Sequence, residues 1–363
     1  YCTEGLSYFN YGFGRYITLR EIVLQATGGK LDLFRENPKI NKIAWFLPNM
    51  EIINGVYPAI GDCKQFTQPS PSILQYVSKT FGMGLSGYEK ANLKGRTIDL
   101  QEDLMNAFPN SATSAAPTQS NGQPGTALRG CFDVAGVLTV RPAEIHPHAM
   151  GATLKGGNNN EHHNHNDLGS FTIVVGNEIL VGDPGSIPYT AKTFSPQRYE
   201  YKTLGSYGHP VPLVAGMQQR PGAEARASIL AASFADKKDV FSMDIASAYG
   251  VPGIKKMIRT FTYSRGKTES LQMNDAFGFA APQIFESALI TRCKWKKIAA
   301  NQLMIEGEKE KLVVTITSPE GPFSIESEVI SEEKGAPYTR LALRLNHPVK
   351  SGEFVMEFSP VNQ

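Results

Sequence analysis

The sequence predicts a multidomain α + β protein, a helical segment followed by a large antiparallel β-sandwich, and three observations carry that prediction. Apolar residues recur at helical spacing through the first third, an uncharged stretch of Ser, Thr, Ala, Asn, Gly, Pro and Gln fills 109–126, and beyond it apolar residues alternate in short runs. The boundaries follow: 1–108 helical, 109–126 a linker or long loop, and 127–363 the sandwich, whose last strands can form a smaller C-terminal β subdomain. A chain of 363 residues supports more than one core, at about 100–200 residues per domain.

Within the first part, Thr18 to Ala26 places Leu19, Ile22, Val23 and Ala26 on one face, and Gly28-Gly29 supplies the left-handed residue that closes a helix. Asn37-Pro38 and Ser70-Pro71 each read as an N-cap with proline at the first helical position. Ile40, Ile43, Ala44 and Leu47 follow the first, and Ile73, Leu74, Val77 and Phe81 the second. Thr97 is expected to open another helix, through Leu100, Leu104 and Phe108. In the second part Phe171 to Val175, a Gly176-Asn177 turn and Glu178 to Val181 read as a hairpin. Further strands are expected at Asp239 to Ile245, Lys256 to Tyr263, Ile284 to Thr291, Lys311 to Thr317, Phe323 to Ile330, Thr339 to Leu345 and Glu353 to Phe358. Many strands with few helices between them argue for an antiparallel sandwich.

Basic and acidic side chains nearly cancel, 36 against 34. No broad positive field is available to nucleic acid, and an anionic ligand must be met locally. No apolar run approaches the roughly 20 residues of a membrane helix, so membrane insertion is not expected. The four cysteines, Cys2, Cys63, Cys131 and Cys293, form no Cys-x-x-Cys pair, which removes zinc ribbons and dithiol redox motifs. The sequence opens on Tyr1 inside what reads as a motif, so a leader and further upstream sequence are expected.

Five of the seven histidines fall between His146 and His165, densest in Gly157-Asn-Asn-Asn-Glu-His162-His163-Asn-His165-Asn-Asp167. In an extended backbone residues i and i+2 project to one side, so His163 and His165 are expected to converge on one ion or one substrate, with His162 turned away. Asp183, in Gly182-Asp-Pro-Gly185, and His209 complete a two-histidine, one-carboxylate set of the kind that holds zinc. An isolated His-x-His in an Asn-rich turn is more often a surface loop. Here Gly169-Ser-Phe171 leads straight into an apolar strand, which mounts the histidines on rigid scaffold and favours metal or catalysis. His146 and His148 flank Pro147 and read as loop residues. Between Tyr189 and Arg226, Lys192, Arg198, Lys202, Arg220 and Arg226 outnumber Glu200 and Glu224, a local basic excess where an anionic ligand could dock.

The stretch from Gly157 to Phe171, then Val181-Gly-Asp-Pro-Gly185, Tyr189-Thr-Ala-Lys-Thr-Phe194, Arg198-Tyr199 and Ser206-Tyr-Gly-His209, resembles the heparinase II/III-like polysaccharide lyases. The opening Glu4-Gly-Leu-Ser-Tyr8-Phe-Asn-Tyr11-Gly12 resembles the segment of that family's helical toroid that carries its catalytic tyrosine. The resemblance implies a partial (α/α) toroid ahead of the sandwich and β-elimination on a uronic-acid-containing polysaccharide or oligosaccharide. It further implies a periplasmic or secreted home and an acidic polysaccharide as partner, with a homodimer left open. It gives Tyr11 as first choice for the catalytic tyrosine and Tyr8 beside it, His163 as the histidine that reaches substrate, and His165, Asp183 and His209 as ligands of a structural zinc. Glu4, Arg198 and Tyr199 are the implied substrate contacts, and Gln218 matches a family glutamine. In the family a further residue neutralises the uronate carboxylate from upstream of the tyrosine, so this fragment alone is expected to be inactive. His209 is followed by Pro210 where the family commonly has Asn.

Three other classes compete. Gly157 followed by His163-x-His165 opens a cupin-like motif, but no glutamate follows at cupin spacing. An amidohydrolase barrel would follow its His-x-His strand with a helix, whereas a hairpin follows here. A non-catalytic carbohydrate-binding module becomes the reading if Tyr11 packs into a core.

Overall fold

The computed structural model describes residues 1–85 and 127–361. The Thr97 helix and the 109–126 linker expected from the sequence lie outside the described residues.

Among the described residues four helices form the first part: α1 (Gly5–Ala26), α2 (Ile40–Ala44), α3 (Phe46–Met50) and α4 (Pro71–Phe81). Helix α4 is built as its sequence reads. Ser70 accepts from the Ile73 amide at 3.4 Å, Pro71 opens the first turn, and Gly82 closes the helix at φ +61°. The run expected from Ile40 to Leu47 breaks at Trp45 into two short helices. Helix α1 departs most from its reading. It starts at Gly5, because Leu6, Phe9, Phe13 and Ile17 bury against Phe34, Phe46 and Leu47 in one cluster. Its expected face is the solvent face, with Leu19 49% and Ile22 57% exposed. The buried side carries Arg20 and Glu21 instead. Burial of that charge is made tolerable by Asp32, which Arg20 Nε and Nη2 both reach at 2.7 Å, and by Tyr76.

The described residues of the second part form nineteen strands: β1 (Arg129–Phe132), β2 (Val137–Val140), β3 (Met150–Lys155), β4 (Asn158–Asn159), β5 (Phe171–Val175), β6 (Glu178–Val181), β7 (Leu213–Val214), β8 (Gly222–Arg226), β9 (Ser228–Phe234), β10 (Lys238–Asp244), β11 (Ile254–Arg265), β12 (Glu269–Gln283), β13 (Phe285–Thr291), β14 (Lys294–Ala299), β15 (Gln302–Glu306), β16 (Lys311–Thr317), β17 (Phe323–Ile330), β18 (Tyr338–Leu345) and β19 (Val349–Pro360). The hairpin is formed as expected by β5 and β6, with Val175 opposite Glu178. An eight-stranded sheet, β14-β15-β16-β19-β12-β11-β10-β9, faces a five-stranded sheet, β1-β2-β3-β5-β6, and a four-stranded sheet, β17-β18-β13-β7. The two smaller sheets abut where the Gly182 amide donates to Ile290 O at 3.0 Å. All three share one apolar core that runs from Leu138 to Phe358 and includes Phe171, Phe261, Phe277 and Phe354. Strands β16 and β17 match their expected bounds. The long β12 escapes a sequence reading because its polar residues, among them the buried Asp275, interrupt the alternation.

The two parts are fastened together by buried polar groups. Arg141, 1% exposed, donates from Nε to Glu51 O and from Nη2 to Asn49 O, both at 2.9 Å. The residue that follows β2 thereby serves the carbonyls that the end of α3 leaves open.

Candidate active site

The long connection from β3 to β5 carries the histidines, and its two ends are pinned beneath the sheet. Lys155 Nζ is buried against Asp167, and the Gly169 amide donates to Lys155 O at 2.8 Å. Arg259, fully buried and paired with Asp275, donates from Nη1 to Gly169 O at 2.9 Å and Pro210 O at 2.7 Å. One core guanidinium therefore fixes both the end of the histidine loop and the residue after His209.

His163 does not sit in extended backbone. It lies in the left-handed region at φ +52°, a conformation that costs a non-glycine residue free energy and persists only where surroundings hold it. The expected i, i+2 convergence is replaced by another geometry: His163 and His165 meet on the two oxygens of one carboxylate, Asp62. His163 Nδ1 is 2.8 Å from Oδ2 and His165 Nε2 is 3.1 Å from Oδ1. His162 is exposed. Asp62 arrives from the helical part on a loop that runs under α1. Gly5, at φ +80°, and Gly61, at φ +59°, permit that approach. A Cβ on Gly5 would lie 2.3 Å from Ile60 O, and one on Gly61 would lie 3.0 Å from His163 O.

Asp62 also accepts from Arg198 Nη2 at 2.7 Å and from the Tyr189 hydroxyl at 3.0 Å. Burial alone would raise this carboxyl, but the hydrogen bonds and charges of His165, Arg198 and His163 carry it far below the ordinary carboxylate range. It is an anion that only accepts. Tyr8, from α1, stacks on His163 with ring centroids 4.1 Å apart and holds its hydroxyl 2.9 Å from that of Tyr189. Burial first, then the Tyr8 hydrogen bond and the Asp62 charge, raise Tyr189 well above the usual phenol range. Tyr189 is thus a neutral phenol.

Behind His165 lies a second group. His165, Asp183 and His209 are buried and present ligand atoms within 4.8 Å of one another. His209 Nδ1 is 3.0 Å from Asp183 Oδ2. His165 Nδ1 and His209 Nε2 are buried with no hydrogen-bond partner, and His209 Nδ1 faces only Asp183. Orphaned buried imidazole nitrogens beside a carboxylate are the donor set of a metal ion, and the residues fit one.

The remaining candidates fall outside these two clusters or serve them indirectly. Tyr11 is 65% exposed, with the Arg15 guanidinium 5.5 Å from its ring centroid. Glu4 precedes α1 and makes no capping hydrogen bond. It lines, with Tyr8, Phe9 and Phe13, an open groove of about 570 Å³. Arg198 is committed to Asn164 O, Thr193 O and Asp62. The Tyr199 hydroxyl accepts from Asn164 at 3.3 Å. Gln218 is exposed and accepts from the Tyr207 amide at 3.2 Å. Its neighbour Gln219 is the buried one, bonded to both backbone groups of Leu168. The local basic excess is largely answered by acids: Lys192 by Glu200, Lys202 by Glu328, Arg226 by Glu224 and Arg198 by Asp62. His148 pairs with Glu310 at 2.8 Å on the surface, as a loop residue. Sequence reasoning missed Asp62, which stands in no motif, and gave no role to Tyr189, although the residue begins one of the matching stretches. A separate hollow of about 820 Å³, lined by Phe66, Pro184, Arg292 and Cys293, receives none of these groups.

A two-layer antiparallel sandwich with a helical segment laid across the mouth of its histidine loop is the fold of the heparinase-like polysaccharide lyases. The chain matches a heparinase III structure over 99% of its own length and 52% of the other, with a TM-score of 0.70 at 14% identity. It matches the heparan sulfate lyase of Pedobacter heparinus over 96% of itself and 52% of that chain, with a TM-score of 0.66 at 14% identity. A further heparinase III structure gives 0.64 at 14% identity, with 96% and 53% covered. The chain spans about half the length of these structures. No protein-family model matches the sequence, and no curated protein does. Every described strand pair is antiparallel, which leaves no room for an amidohydrolase barrel. Among the described residues no helix is long and apolar enough to cross a membrane.

Proposed function

We propose that this chain is the toroid end and sandwich of a polysaccharide lyase that cleaves a uronic-acid-containing polymer or oligomer by β-elimination. The observation that carries the reading is the stacked Tyr8–His163 pair, a phenol and an imidazole from different parts of the fold brought together over one buried carboxylate. Because Asp62 only accepts, His163 donates from Nδ1 and keeps its Nε2 lone pair. An imidazole lone pair is a far better proton acceptor at neutral pH than a phenol. His163 takes the proton from C5 of the uronate, the C4–C5 double bond forms, and the bond from C4 to the bridging oxygen breaks. Tyr8 protonates the departing oxygen and recovers its proton from the imidazolium stacked against it. Tyr189, neutral and bonded to Asp62, accepts from Tyr8 at rest and gives up that hydrogen bond when Tyr8 turns its proton to the departing oxygen.

His165, Asp183 and His209 would hold a zinc ion. When bound, that ion supplies cross-linking of the histidine loop to the Gly182–Gly185 turn. Arg198 and Tyr199 act as supports of the loop, and Glu4, beside Tyr8, faces the groove where a sugar would lie. A periplasmic or secreted location accords with a polymeric substrate. Heparan sulfate is the first substrate to test, because heparan sulfate lyase is among the matched structures. The test is ultraviolet absorbance when the full-length protein, alongside this chain, is incubated with a panel of uronate polymers and oligomers. Growth of the absorbance of an unsaturated uronate is expected. Sugar binding without any such product would leave a carbohydrate-binding module.

A further inference from the structure

We infer that Asp62 is a positioning residue that sets the tautomers of His163 and His165 together, tying the metal pocket to the substrate-facing imidazole through one carboxylate. The inference rests on the reading above for the roles of the two histidines.

The geometry divides the carboxylate. Oδ1 faces His165 Nε2 at 3.1 Å and Arg198 Nη2 at 2.7 Å, while Oδ2 faces His163 Nδ1 at 2.8 Å and Tyr189 Oη at 3.0 Å. Four groups converge, and each must donate to an acceptor-only anion. His165 is therefore protonated at Nε2, which leaves its lone pair on Nδ1, buried and without a partner and so the nitrogen free to serve the His165, Asp183 and His209 group. His163 is protonated at Nδ1, which leaves its lone pair on Nε2. The two rings are thus set in opposite tautomers by the same residue. A carboxylate behind a metal-binding histidine orients the ring and raises its basicity. Here the second oxygen does the same for a ring that binds no metal. Arg198, held by Asn164 O and Thr193 O, fixes the carboxylate in the plane that serves both.

Asp62→Asn separates this role from simple packing, because an amide has the same shape but one acceptor oxygen and one NH2. If the oxygen keeps His165 and Arg198, the NH2 confronts His163 Nδ1 and drives that ring to the other tautomer, removing the lone pair from the cleft. If the oxygen turns to His163, the NH2 confronts His165 Nε2 and its ligand nitrogen becomes protonated. One site must fail. The experiment measures zinc affinity by competition with a chromogenic chelator, kcat and KM on a uronate polymer, and imidazole tautomers by nitrogen-15 NMR. In Asp62→Asn the expected result is either a 10–100-fold loss of zinc affinity or a fall in kcat at nearly unchanged KM, with the matching ring seen in the flipped tautomer. Zinc affinity and kcat both within twofold of the parent would overturn the inference. Should that variant fail to fold, the parent protein decides: opposite tautomers for His163 and His165 support the inference, and like tautomers sink it. A parent that takes up no zinc and makes no unsaturated product defeats the functional reading instead, and the ring tautomers still decide the role of Asp62.

Discussion

Tyr8 of helix α1 and Tyr189 of the sandwich meet hydroxyl to hydroxyl at 2.9 Å. Tyr189 donates its proton to Asp62 Oδ2 at 3.0 Å, so its oxygen accepts from Tyr8. The direction of the chain is thereby fixed, from the cleft inward to a buried anion. Of the two tyrosines that the sequence offers at the start of the chain, Tyr8 joins this chain and Tyr11 faces solvent.

Substitution of Tyr8 by Phe is expected to leave the fold intact and to lower turnover about 10²–10⁴-fold, the range of a lost general acid. Tyr11→Phe is expected to stay within about twofold of the parent, as surface changes do. Product absorbance under saturating polymer reads both. Full activity in Tyr8→Phe would move the donor elsewhere.

Tyr189→Phe removes one hydrogen bond to Tyr8 and one to Asp62 but leaves both reacting groups in place. Turnover is expected to fall about tenfold, the worth of roughly one hydrogen bond. Combining it with Tyr8→Phe should add almost nothing, since neighbours in one chain of hydrogen bonds are not additive. An additive double variant would show that the two tyrosines act separately.

One zinc per chain is expected by elemental analysis of the purified protein. Zinc supplied at about 100 times its dissociation constant should stabilise the folded chain by ~2.7 kcal/mol, read as a rise in Tm. His165→Ala and His209→Ala should each abolish that rise. If they keep it, the metal is held by other residues.

Acid should weaken the helical segment through Asp32. Burial would raise this carboxyl, but hydrogen bonds from Arg20 and the Phe34 amide hold it below the ordinary range. A depressed folded-state pKa gives stability that is complete above the unfolded value of about 4 and is lost as pH falls through the folded value. Asp32→Asn is expected to cost about 1–3 kcal/mol at neutral pH, because Arg20 loses one charged partner and keeps Glu21 at 3.0 Å. Its denaturation midpoint should then vary less than the parent's below pH 4.

The sandwich was legible where period-two alternation is unbroken, as in β16 and β17, and so was the hairpin that Gly176 turns. The clustering of His165, Asp183 and His209 was legible because these residue types have few other reasons to appear together. What the sequence hid were groups whose roles exist only across the fold. Arg20 and Arg259 stand in no sequence pattern, since their partners Asp32 and Asp275 are found by folding and not by spacing. Asp62 was invisible for the same reason: its four partners lie on the sandwich, and nothing around Gly61-Asp62-Cys63 announces a ligand. The basic excess after Tyr189 misled in the opposite sense, because Glu328 and Asp62 answer it from far along the chain.

The loop carrying Asp62 also constrains motion. Its carboxylate joins the helical segment to four groups of the sandwich, each within 3.1 Å, and hydrogen bonds weaken steeply with stretch. A hinge running between α1 and the histidine loop would have to break all four at once. Were a polymer to enter beside Tyr8, it would have to be admitted by movement elsewhere, with the seam between Tyr8 and Tyr189 held fixed.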